Sequence, residues 1–373
     1  MKVLAIVPHE YDTSPGQRFR IEQWEPFLRE RGVEITYSSF TTRALGSILY
    51  RSGYRLSKAA HIGAAYLRQC SKIMTARRFD LVYLFREAAL IGPALIESAI
   101  AWQRIPIVFD FDDAIFVPYK SPSNGYLSYL KCFGKTGHLC RLATQVLAGN
   151  AYLADYARQY NSEVSLTPTT IDTDHYQPEP RNGGKADVPV IGWTGSHSTL
   201  QHLQTAVPAL SRLAERHRFR LVAIGAEVPN IDGVDTESRP WCASSEVGDL
   251  SDIDVGIMPL PDDPWSRGKC GLKALQYMAL GIPPVVSPVG VNTEIVEDNV
   301  NGLVAGTEEQ WIEKLAALLT NAELRDRLGR AARRTVEERY SARVIAPRVF
   351  EVFEKALSHR VSAHVEAHSG RLS

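Results

Sequence analysis

The chain has 373 residues, of which 45% are hydrophobic and 23% are charged. This length exceeds what one hydrophobic core usually organises and the composition is globular, so we expect two domains and exclude a disordered chain. Lysine plus arginine and aspartate plus glutamate both number 42, which excludes a global field that would favour nucleic acid or a membrane. Any basic surface must therefore be local.

The cysteines and the N-terminus bear on the cellular compartment. The five cysteines form no C-x-x-C pair and no repeated ligand spacing, which argues against a disulfide framework or a structural zinc site and fits a reducing compartment. The apolar run within MKVLAIVPHE is too short for a signal-peptide core, and no stretch approaches the roughly 20 apolar residues of a membrane span. We therefore expect a cytoplasmic protein that begins with a buried strand.

Short apolar runs alternate with helical patterns along the first half, which is typical of a parallel α/β sheet. After the first strand, residues 18–32 predict a helix with Ile21, Trp24 and Leu28 on one face and Gly32 at its end. The expected strands are KVLAIVP (2–8), VEITYSSF (33–40), FDLVYLF (79–85), IPIVFDF (105–111), TQVLAGN (144–150) and SEVSLTP (162–168).

A second α/β series follows residues 178–189, which are dense in proline, glycine and charge and indicate a linker. Its expected strands are VPVIGW (188–193), FRLVAIG (219–225), DIDVGIMPL (252–260) and GIPPVVSP (281–288). We predict a first domain over 1–177, a second over 190–340, and a C-terminal helix over 341–373 that returns to the first domain. Parallel sheets bind ligands beyond the carboxyl ends of their strands, so we expect the chemistry in a cleft between the domains.

The loop after the first strand carries two arginines. Pro15-Gly16 predicts a tight turn, and Arg18 and Arg20 then fall in the first turn of the helix. Cations there oppose the helix dipole, at a cost of about 0.3–1 kcal/mol each. The arginines therefore hold either an anion or a carboxylate of their own domain, and the sequence leaves both open.

Asp110, Asp112 and Asp113, in FDFDDAIF, stand at the carboxyl end of a predicted strand. Such a group could bind a metal, act as a base, or pair with Arg18 and Arg20. Hard metals need several oxygen ligands at once, and no histidine or further carboxylate lies nearby in sequence. We therefore favour pairing and hydroxyl recognition over a metal.

The first loop of the second half, IGWTGSHSTLQHL, is rich in glycine. Gly192 and Gly195 permit close backbone approach, and Ser198 with Gln201 matches the S-x-x-Q capping box of a following helix. A glycine turn before a capped helix can hold an anion. A plain turn between a strand and a helix has the same signature.

The stretch GKCGLKALQYMALGIPPVVSP places Lys269 in a loop and Lys273 in the first turn of a helix expected over 272–280. A structural role gives a cation nothing at the electropositive end of a helix. Together with Arg18 and Arg20, these lysines indicate a strongly anionic ligand such as a diphosphate.

The order of these motifs resembles the family 4 retaining glycosyltransferases, which have the GT-B fold of two facing Rossmann-like domains. Residues 268–305, from GKCGLKALQYMALGIPPVVSPVG to NGLVA, resemble the family's donor-site block. AGNAYLADYA with SLTPTTIDTDHY resembles the end of its N-terminal domain, and IGWTGSHSTLQHL takes the place of its donor-phosphate loop. The resemblance implies transfer of a sugar from a nucleotide-diphosphate sugar to a saccharide or lipid-linked hydroxyl. It also implies retention of configuration and no metal or other cofactor.

The chain departs from the family at the two acids of its E-x7-E motif, where Gly268 and Gln276 stand instead. An amide both donates and accepts, so Gln276 can still bind a ribose hydroxyl, whereas Gly268 cannot replace a carboxylate. The sugar would then be held by backbone amides of residues 270–272, or by Asp262 or Asp263. The family's usual Arg and Lys after the glycine loop are also absent, and Lys269 and Lys273 substitute for them.

The resemblance and the loops together imply three groups of site residues. Lys269, Lys273 and Asp112 are assigned to catalysis, the lysines by neutralising the departing diphosphate. The donor side comprises Gly192, Thr194, Gly195, Ser196, Cys270, Gly271, Leu272, Gln276 and Glu294. The acceptor side comprises Gly16, Arg18, Arg20, Asp110 and Asp113.

A local basic stretch bears on the partners. No acidic residue lies between Glu34 and Asp80, whereas residues 43–78 interleave arginine and lysine with leucine, isoleucine, tyrosine and alanine. Such a stretch suits an anionic membrane surface or a lipid-diphosphate acceptor, and would make the protein peripheral on the inner face of a membrane. A solvated helix pair covering the sheet is the alternative.

Several alternatives stay open. A nucleotide-sugar epimerase shares the fold but needs acid and base carboxylates at the sugar, and a non-catalytic protein that binds sugar nucleotides or carbohydrates needs none. Trp193 and Trp241 either stack on a base or belong to the core, and Glu294 either contacts the sugar or caps its helix. A dinucleotide dehydrogenase is disfavoured because no G-x-G-x-x-G follows the first strand.

Overall fold

The computed structural model describes residues 1–49, 51, 53–118, 130–178, 188–196, 199–228 and 230–369, with side chains to residue 358. The chain divides into a first unit, Met1–Pro168 with Ile345–Ser373, and a second unit, Thr169–Val344. The first segment of the first unit thus ends at Pro168, whereas the predicted domain boundary follows residue 177. The predicted linker 178–189 lies mostly outside the described residues.

Six parallel strands form the sheet of the first unit, in the order β2-β1-β3-β4-β5-β6. They are β1 (Lys2–Val7), β2 (Glu34–Ser39), β3 (Leu81–Phe85), β4 (Ile107–Phe111), β5 (Gln145–Ala148) and β6 (Val164–Leu166). Each corresponds to a strand that the sequence predicts. β1, β3, β4 and β5 consist almost entirely of buried residues, because helices cover both faces of a parallel sheet.

The helices of the first unit are α1 (Pro15–Gln17), α2 (Gln23–Glu30), α3 (Arg43–Leu49), α4 (Arg55–Thr75), α5 (Leu95–Trp102), α6 (Lys135–Leu142) and α7 (Ala151–Arg158). The helix predicted over 18–32 is wrong at its start, since helical structure begins at Pro15. Proline favours the first position of a helix because its φ is already helical. A π-helical turn over Arg18–Glu22 then joins α1 to α2, and Arg20 leaves helical geometry with φ −130° and ψ −112°.

The sheet of the second unit has the order β12-β11-β10-β7-β8-β9. Its strands are β7 (Val190–Thr194), β8 (Arg220–Ile224), β9 (Asp235–Arg239), β10 (Val255–Met258), β11 (Pro284–Val286) and β12 (Leu303–Val304). All pairings are parallel. The predictions for β7, β8, β10 and β11 are confirmed, whereas β9 and β12 were not predicted, because DTESR is polar and LV is too short to form a pattern.

The second unit contains α8 (Leu200–Gln204), α9 (Val207–Ala214), α10 (Glu246–Ser251), α11 (Pro264–Arg267), α12 (Leu272–Ala279), α13 (Asn292–Ile295), α14 (Glu308–Thr320) and α15 (Ala322–Arg339). The last helix is α16 (Ala342–Ser369), and from Ile345 onward it belongs to the first unit. There the ring of Phe353 lies 6.1 Å from that of Tyr83, and Lys355 pairs with Glu163 at 2.6 Å. None of the helices in the described ranges is long and apolar enough to cross a membrane.

A buried ion pair joins the start of the chain to the sheet of the first unit. Arg20 Nε donates to Asp110 Oδ2 at 2.6 Å, and its Nη2 lies 2.6 Å from Oδ1. Arg20 Nη1 donates to the Thr167 carbonyl at 2.9 Å, and the Tyr83 hydroxyl donates to Asp110 Oδ2. Both charged side chains are 0% exposed. This pair ties the turn after β1 to the ends of β4 and β6, and so fixes the loops at that edge of the sheet.

Removing one partner of a buried pair leaves the other charge without compensation. We therefore expect Asp110→Asn to lower the free energy of unfolding by about 3–5 kcal/mol. Urea unfolding followed by circular dichroism measures this. The control is Asp155→Asn, which breaks the exposed pair between Arg158 and Asp155 and should cost less than about 1 kcal/mol. Equal stability of the two variants would show that the buried pair does not hold the unit together.

Candidate functional site

The second sheet changes direction between β7 and β10. From β7 the chain adds β8 and β9 on one side, and then β10, β11 and β12 on the other. The loops that leave the two central strands diverge at such a switch point, and open α/β sheets bind ligands in the crevice between them. These loops begin at Gly195 after β7 and at Pro259 after β10, and the second leads into α12. The crevice is therefore the candidate donor site.

Helix α12 is fixed at both ends. Its N-cap is Gly271, with φ 72°, and a Cβ at that position would lie 2.2 Å from Ile295 Cδ1. Only glycine combines this backbone conformation with this close approach. At the other end, a Cβ on Gly329 of α15 would lie 2.0 Å from the Gly281 carbonyl oxygen, and Arg333 Nη1 donates to the Ala279 carbonyl at 2.5 Å. The amino end of α12 is thus held rigidly at the crevice.

Two lysines stand at this amino end. Lys273 is half-buried, and its Nζ lies 5.0 Å from the ring centroid of Trp193 on β7. Lys269 Nζ lies 4.5 Å from the ring centroid of Trp265. Burial, and then the charge of Lys269, lower the pKa of Lys273 to about 7. Among the described residues no carboxylate forms an ion pair with Lys273, so a bound anion would favour its charged form.

The end of β7 is bonded to α12, and a tight turn follows it. The backbone N–H of Thr194 donates to the Tyr277 hydroxyl of α12 at 3.0 Å. A Cβ at Gly195 would lie 2.4 Å from the Trp193 ring and 2.6 Å from Thr199 Oγ1, so this glycine is required for the close approach of its own turn. Gly195 thus allows the turn after β7, which is the candidate phosphate loop, to lie directly beside the Trp193 ring that Lys273 contacts.

The other residues predicted to bind the donor in and near this turn differ in their exposure. Gly192 is buried in β7, where a Cβ would lie 2.1 Å from Ile253 Cδ1, so its small size serves interior packing. Ser196 is exposed, and its N–H donates to Thr199 Oγ1 at 3.0 Å. Ser198 of the predicted capping box lies outside the described residues. The N-cap of α8 is Thr199, which makes no side-chain cap.

A buried carboxylate on α10 joins three elements around the crevice. Glu246 is 3% exposed; its Oε1 accepts from Trp241 Nε1 and from Gln276 Nε2, both at 2.9 Å, and its Oε2 accepts from the Tyr176 hydroxyl at 2.7 Å. All three donors are neutral. Gln276 is itself buried, so its amide N–H is committed to Glu246. The ribose contact assigned to Gln276 stays a prediction.

The two tryptophans considered for base stacking differ in exposure. Trp193 is 0% exposed and belongs to the core of the second unit. Trp241 follows β9, is half-buried, and has its N–H bound to Glu246. It stands beside Gly225 (φ 93°), where a Cβ would lie 3.3 Å from Trp241 Cβ and 2.3 Å from the Gly195 carbonyl oxygen. The indole is therefore held next to the turn after β7.

The remaining donor-side residues lie around the start of α12. Cys270 is buried and its Sγ lies 3.8 Å from the Gly268 carbonyl, while Leu272 is half-buried. Glu294 is exposed on α13, whose N-cap, Val291, has no side-chain cap. The capping alternative for Glu294 therefore receives no support, and its contact with a donor sugar stays a prediction.

The first sheet has a comparable switch point between β1 and β3. Gly16 lies against two charged side chains there, since a Cβ would be 2.8 Å from Arg86 Nη2 and 2.8 Å from Asp112 Oδ2. Arg86 Nε pairs with Asp112 Oδ1 at 2.7 Å, and Arg86 has a left-handed backbone with φ 57°. The carboxylate of Asp112, to which the sequence assigns a catalytic role, therefore lies beside the guanidinium of Arg86.

The other acceptor-side residues are engaged within the first unit. Arg18 pairs with Asp12 at 2.8 Å, and Asp113 Oδ1 accepts from the N–H of Ala114 at 3.0 Å. Arg20 and Asp110 form the buried pair, which is the intradomain pairing that the sequence left open. An acceptor could reach that pair only if the core opened.

His9 follows β1 and lies at the carboxyl end of the first sheet. Burial, followed by the charges of Arg86 and Lys131, lowers the pKa of His9 to about 4, so the imidazole is neutral at pH 7. Its Nδ1 lies 3.3 Å from Thr41 Oγ1. No group of three His, Cys, Asp or Glu side chains within the described ranges could hold a metal ion.

Arg86 and Glu246 were not predicted from the sequence. Arg86 follows the predicted strand FDLVYLF directly, and that position was signal enough to include it. Glu246 follows β9, and no apolar pattern marks β9 in the sequence. The position of Glu246 in the fold could therefore not be inferred. Its three donors come from segments far apart in the chain, which only the fold brings together.

Comparisons with known proteins find a family that matches part of the chain. Residues 259–335 match the family described as "Glycosyl transferases group 1". Spore coat protein SA of Bacillus subtilis is 35% identical over 83 residues, 21% of this chain and 22% of that protein. A D-inositol 3-phosphate glycosyltransferase of Saccharomonospora viridis is 25% identical over 213 residues, 50% of this chain and 49% of that protein. The chain spans about half the length, or less, of these curated relatives.

Solved structures share the fold along nearly the whole chain. Sucrose-phosphate synthase from Thermosynechococcus elongatus has a TM-score of 0.70 at 14% identity, with 96% of this chain and 100% of that chain covered. HepE from Anabaena, solved in complex with UDP-glucose, has a TM-score of 0.67 at 15% identity, with 95% of this chain and 99% of that chain covered. At these identities the likeness concerns the fold. The chain thus has the two-domain α/β GT-B fold of these glycosyltransferases, and its residues 259–335 match the group 1 glycosyl transferases.

Proposed function

We propose that the protein is a glycosyltransferase that moves a sugar from a nucleotide-diphosphate sugar to a hydroxyl of a saccharide or lipid-linked acceptor. The site of Lys269 and Lys273 lies within the segment that matches the group 1 glycosyl transferases. HepE, which shares the fold, was solved with UDP-glucose. Both observations support a nucleotide sugar as the donor.

The observation that carries the proposal is the state of Lys273. A half-buried amine at the amino end of a helix, with a pKa of about 7 and no described carboxylate partner, is poorly stabilised as a cation. A diphosphate in the crevice would supply the missing charge. Because α12 is fixed at both ends, little reorganisation would be needed when that charge arrives.

The lysines would act most strongly as the donor breaks. The bond between the anomeric carbon and the terminal phosphate oxygen is cleaved, and the electron pair stays on the diphosphate. Fixed cations at that oxygen then stabilise the transition state more than the ground state. The acceptor hydroxyl attacks the anomeric carbon from the same face, and its proton passes to the leaving phosphate. Retention and independence from metal are part of the proposal.

The acceptor is assigned to the first unit. Gly16, Asp112 and Arg86 meet at the β1–β3 switch point, where a hydroxyl could accept from the guanidinium and donate to the carboxylate. The basic stretch of residues 43–78 is proposed to contact an anionic membrane surface, which would present a lipid-linked acceptor.

The non-catalytic binding protein remains an alternative because Gly268 and Gln276 provide no carboxylate, and the same absence disfavours the epimerase. Incubation with UDP-glucose separates them from a transferase or a hydrolase. Release of UDP, with or without an added acceptor, supports transfer chemistry. Binding of UDP-glucose without any turnover would favour the binding protein, and conversion of UDP-glucose into an epimeric UDP-sugar would favour the epimerase.

We expect the variant with Lys269→Ala and Lys273→Ala to bind its preferred nucleoside diphosphate more weakly by about 100-fold or more. Each charge-assisted hydrogen bond contributes about 1.5–3 kcal/mol. Calorimetry with UDP, GDP, TDP and CDP measures the affinities and identifies the preferred base. Arg212→Ala is the control, since Arg212 is exposed in the same unit and pairs with Glu308. Unchanged binding in the double variant would place the donor elsewhere.

The lowered pKa of Lys273 predicts a pH dependence. Below pH 7 the amine is protonated before the ligand arrives, whereas above pH 7 binding must take up a proton. Affinity should therefore fall by up to about tenfold for each pH unit above 7. Lys273→Arg keeps its charge throughout this range and should flatten the profile. If the affinity of the wild type did not change between pH 7 and pH 9, Lys273 could not be the group that takes up a proton in the complex.

Trp241 is expected to stack on the nucleobase, because its indole is held half-exposed next to the turn after β7. Trp241→Ala should then weaken UDP binding by about 10-fold or more. Binding of inorganic pyrophosphate should not change, since it has no base, and it serves as the internal control. Equal losses for both ligands would show that Trp241 only supports the fold of the crevice.

A further inference from the structure

Helix α4 exposes an apolar stripe. Leu56, Leu67 and Met74 are 88%, 75% and 84% exposed. With exposed small residues between them they recur every three or four positions, which places them on one side of the helix. The stripe consists of Leu56, Ala60, Gly63, Leu67, Cys70 and Met74, all of which are exposed.

The face of α4 that meets the sheet carries polar as well as apolar side chains. Gln69 is 0% exposed; its Nε2 donates to the Ser38 carbonyl at 3.2 Å, and its Oε1 accepts from the Ser38 hydroxyl at 3.0 Å. Arg68 Nη2 donates to the Phe40 carbonyl at 2.6 Å. The Tyr66 ring also packs on this side, 5.5 Å from the ring of Phe40. Polar bonds therefore help to fix the orientation in which α4 exposes its apolar stripe.

Helix α5 extends this apolar surface. Leu95 and Trp102 are 67% and 85% exposed and stand seven positions apart, on the same side of α5. Gln103 Nε2 donates to the Ile73 carbonyl at 2.8 Å, which brings the end of α5 beside the end of α4. Tryptophan is enriched where one end of a side chain is apolar and the other is wet. We call the exposed side chains of Leu56, Leu67, Met74, Leu95 and Trp102 the α4–α5 face.

The charge around the α4–α5 face distinguishes between two possible occupants, a second copy of the chain and an anionic bilayer. Residues 35–79 contain no acid, and basic side chains border the face at both ends, among them Arg55, Arg77, Arg78 and Arg104, which are all exposed. Two copies of this surface would bring like charges together, which disfavours self-association. An anionic bilayer complements both the apolar stripe and its basic border.

We propose that the α4–α5 face docks on an anionic lipid bilayer. The apolar side chains enter the boundary between headgroups and acyl chains, and the basic border meets the headgroup phosphates. A 21-residue helix is about 30 Å long, so α4 can lie along the surface over its full length. This docking rests on the proposed function only in that a lipid-linked acceptor would be presented at the same surface.

Vesicle flotation tests the docking. Wild-type protein should bind vesicles that contain phosphatidylglycerol and not vesicles of pure phosphatidylcholine, and binding should weaken at higher salt. Leu67→Glu and the pair Arg55→Glu with Arg77→Glu should each reduce binding by about tenfold or more. Val300→Glu, at a 47% exposed residue of the second unit, is the matched control and should bind as wild type does. Binding indifferent to lipid charge and salt would overturn the proposal.

Quenching by brominated lipids tests the docked side chain directly. Bromine on the acyl chains should quench part of the tryptophan fluorescence of the wild type, and Trp102→Phe should remove that part. Trp24 and Trp193 are fully buried in the protein and should contribute little to it. Quenching that persists unchanged in Trp102→Phe would show that the α4–α5 face is not what enters the bilayer.

Two further measurements separate the possible failures. A dimer in sedimentation analysis that Leu67→Glu dissociates, without vesicle binding by the wild type, would identify the face as a contact between copies and overturn the bilayer proposal. Calorimetry with UDP reports on the second unit independently. Normal UDP binding without vesicle binding would reject the docking alone, whereas vesicle binding without any nucleotide binding would reject the proposed function.

Discussion

The charge of Lys273 is the constraint on which the candidate site depends. The helix dipole, partial burial and the neighbouring Lys269 all act against a protonated amine at this position, and the pKa of about 7 reflects the last two. The surrounding structure nevertheless fixes the helix that carries it. Gly271 sets its start, the contact of Gly329 with Gly281 sets its end, and Tyr277 ties it to the end of β7. A fold that holds an unfavourable charge so rigidly is suited to a ligand of opposite charge.

The cations of the first unit contrast with this arrangement. Arg20 is buried with Asp110, Arg18 pairs with Asp12, and Arg86 pairs with Asp112. In each case a carboxylate of the same unit already balances the charge. The sequence grouped Arg18 and Arg20 with the two lysines because all of them follow strands at helix starts. The three-dimensional structure separates them, and the case for an anionic ligand now depends on the second unit.

Much of the fold was predictable because parallel strands are buried on both faces and therefore form continuous apolar runs. β1 and β10 are of this kind. β9 was not predictable, because an edge strand with the sequence DTESR has no apolar run and its residues are half-exposed or exposed. The start of the first helix was misplaced for a different reason. Pro15 begins the helix, and the pairing of Arg20 with a strand about 90 positions later breaks it, which no local pattern can reveal.

The candidate site was predictable where it depends on local chemistry and not where it depends on long-range pairing. Lys269 and Lys273 could be singled out because a cation at a helix start opposes the helix dipole. Glu246 could not, because an acid at the start of a helix is ordinary. Its importance comes from accepting hydrogen bonds of Gln276, Trp241 and Tyr176 in one buried place.

That arrangement bears on the missing acid of the E-x7-E pattern. At position 276 the side chain is an amide, and its Nε2 donates at 2.9 Å to the buried carboxylate of Glu246 on α10, so a negative charge does lie beside this position. Neutral donors on both of its oxygens offset part of the cost of burying it. Gln276 lies one turn from Lys273 on α12, and Trp241 hydrogen-bonds to the same carboxylate. The helix that carries Lys273 and the half-buried indole of Trp241 are therefore joined through Glu246. A ligand that contacts both would meet a single preorganised surface, which favours a nucleotide with both a base and a diphosphate over either part alone.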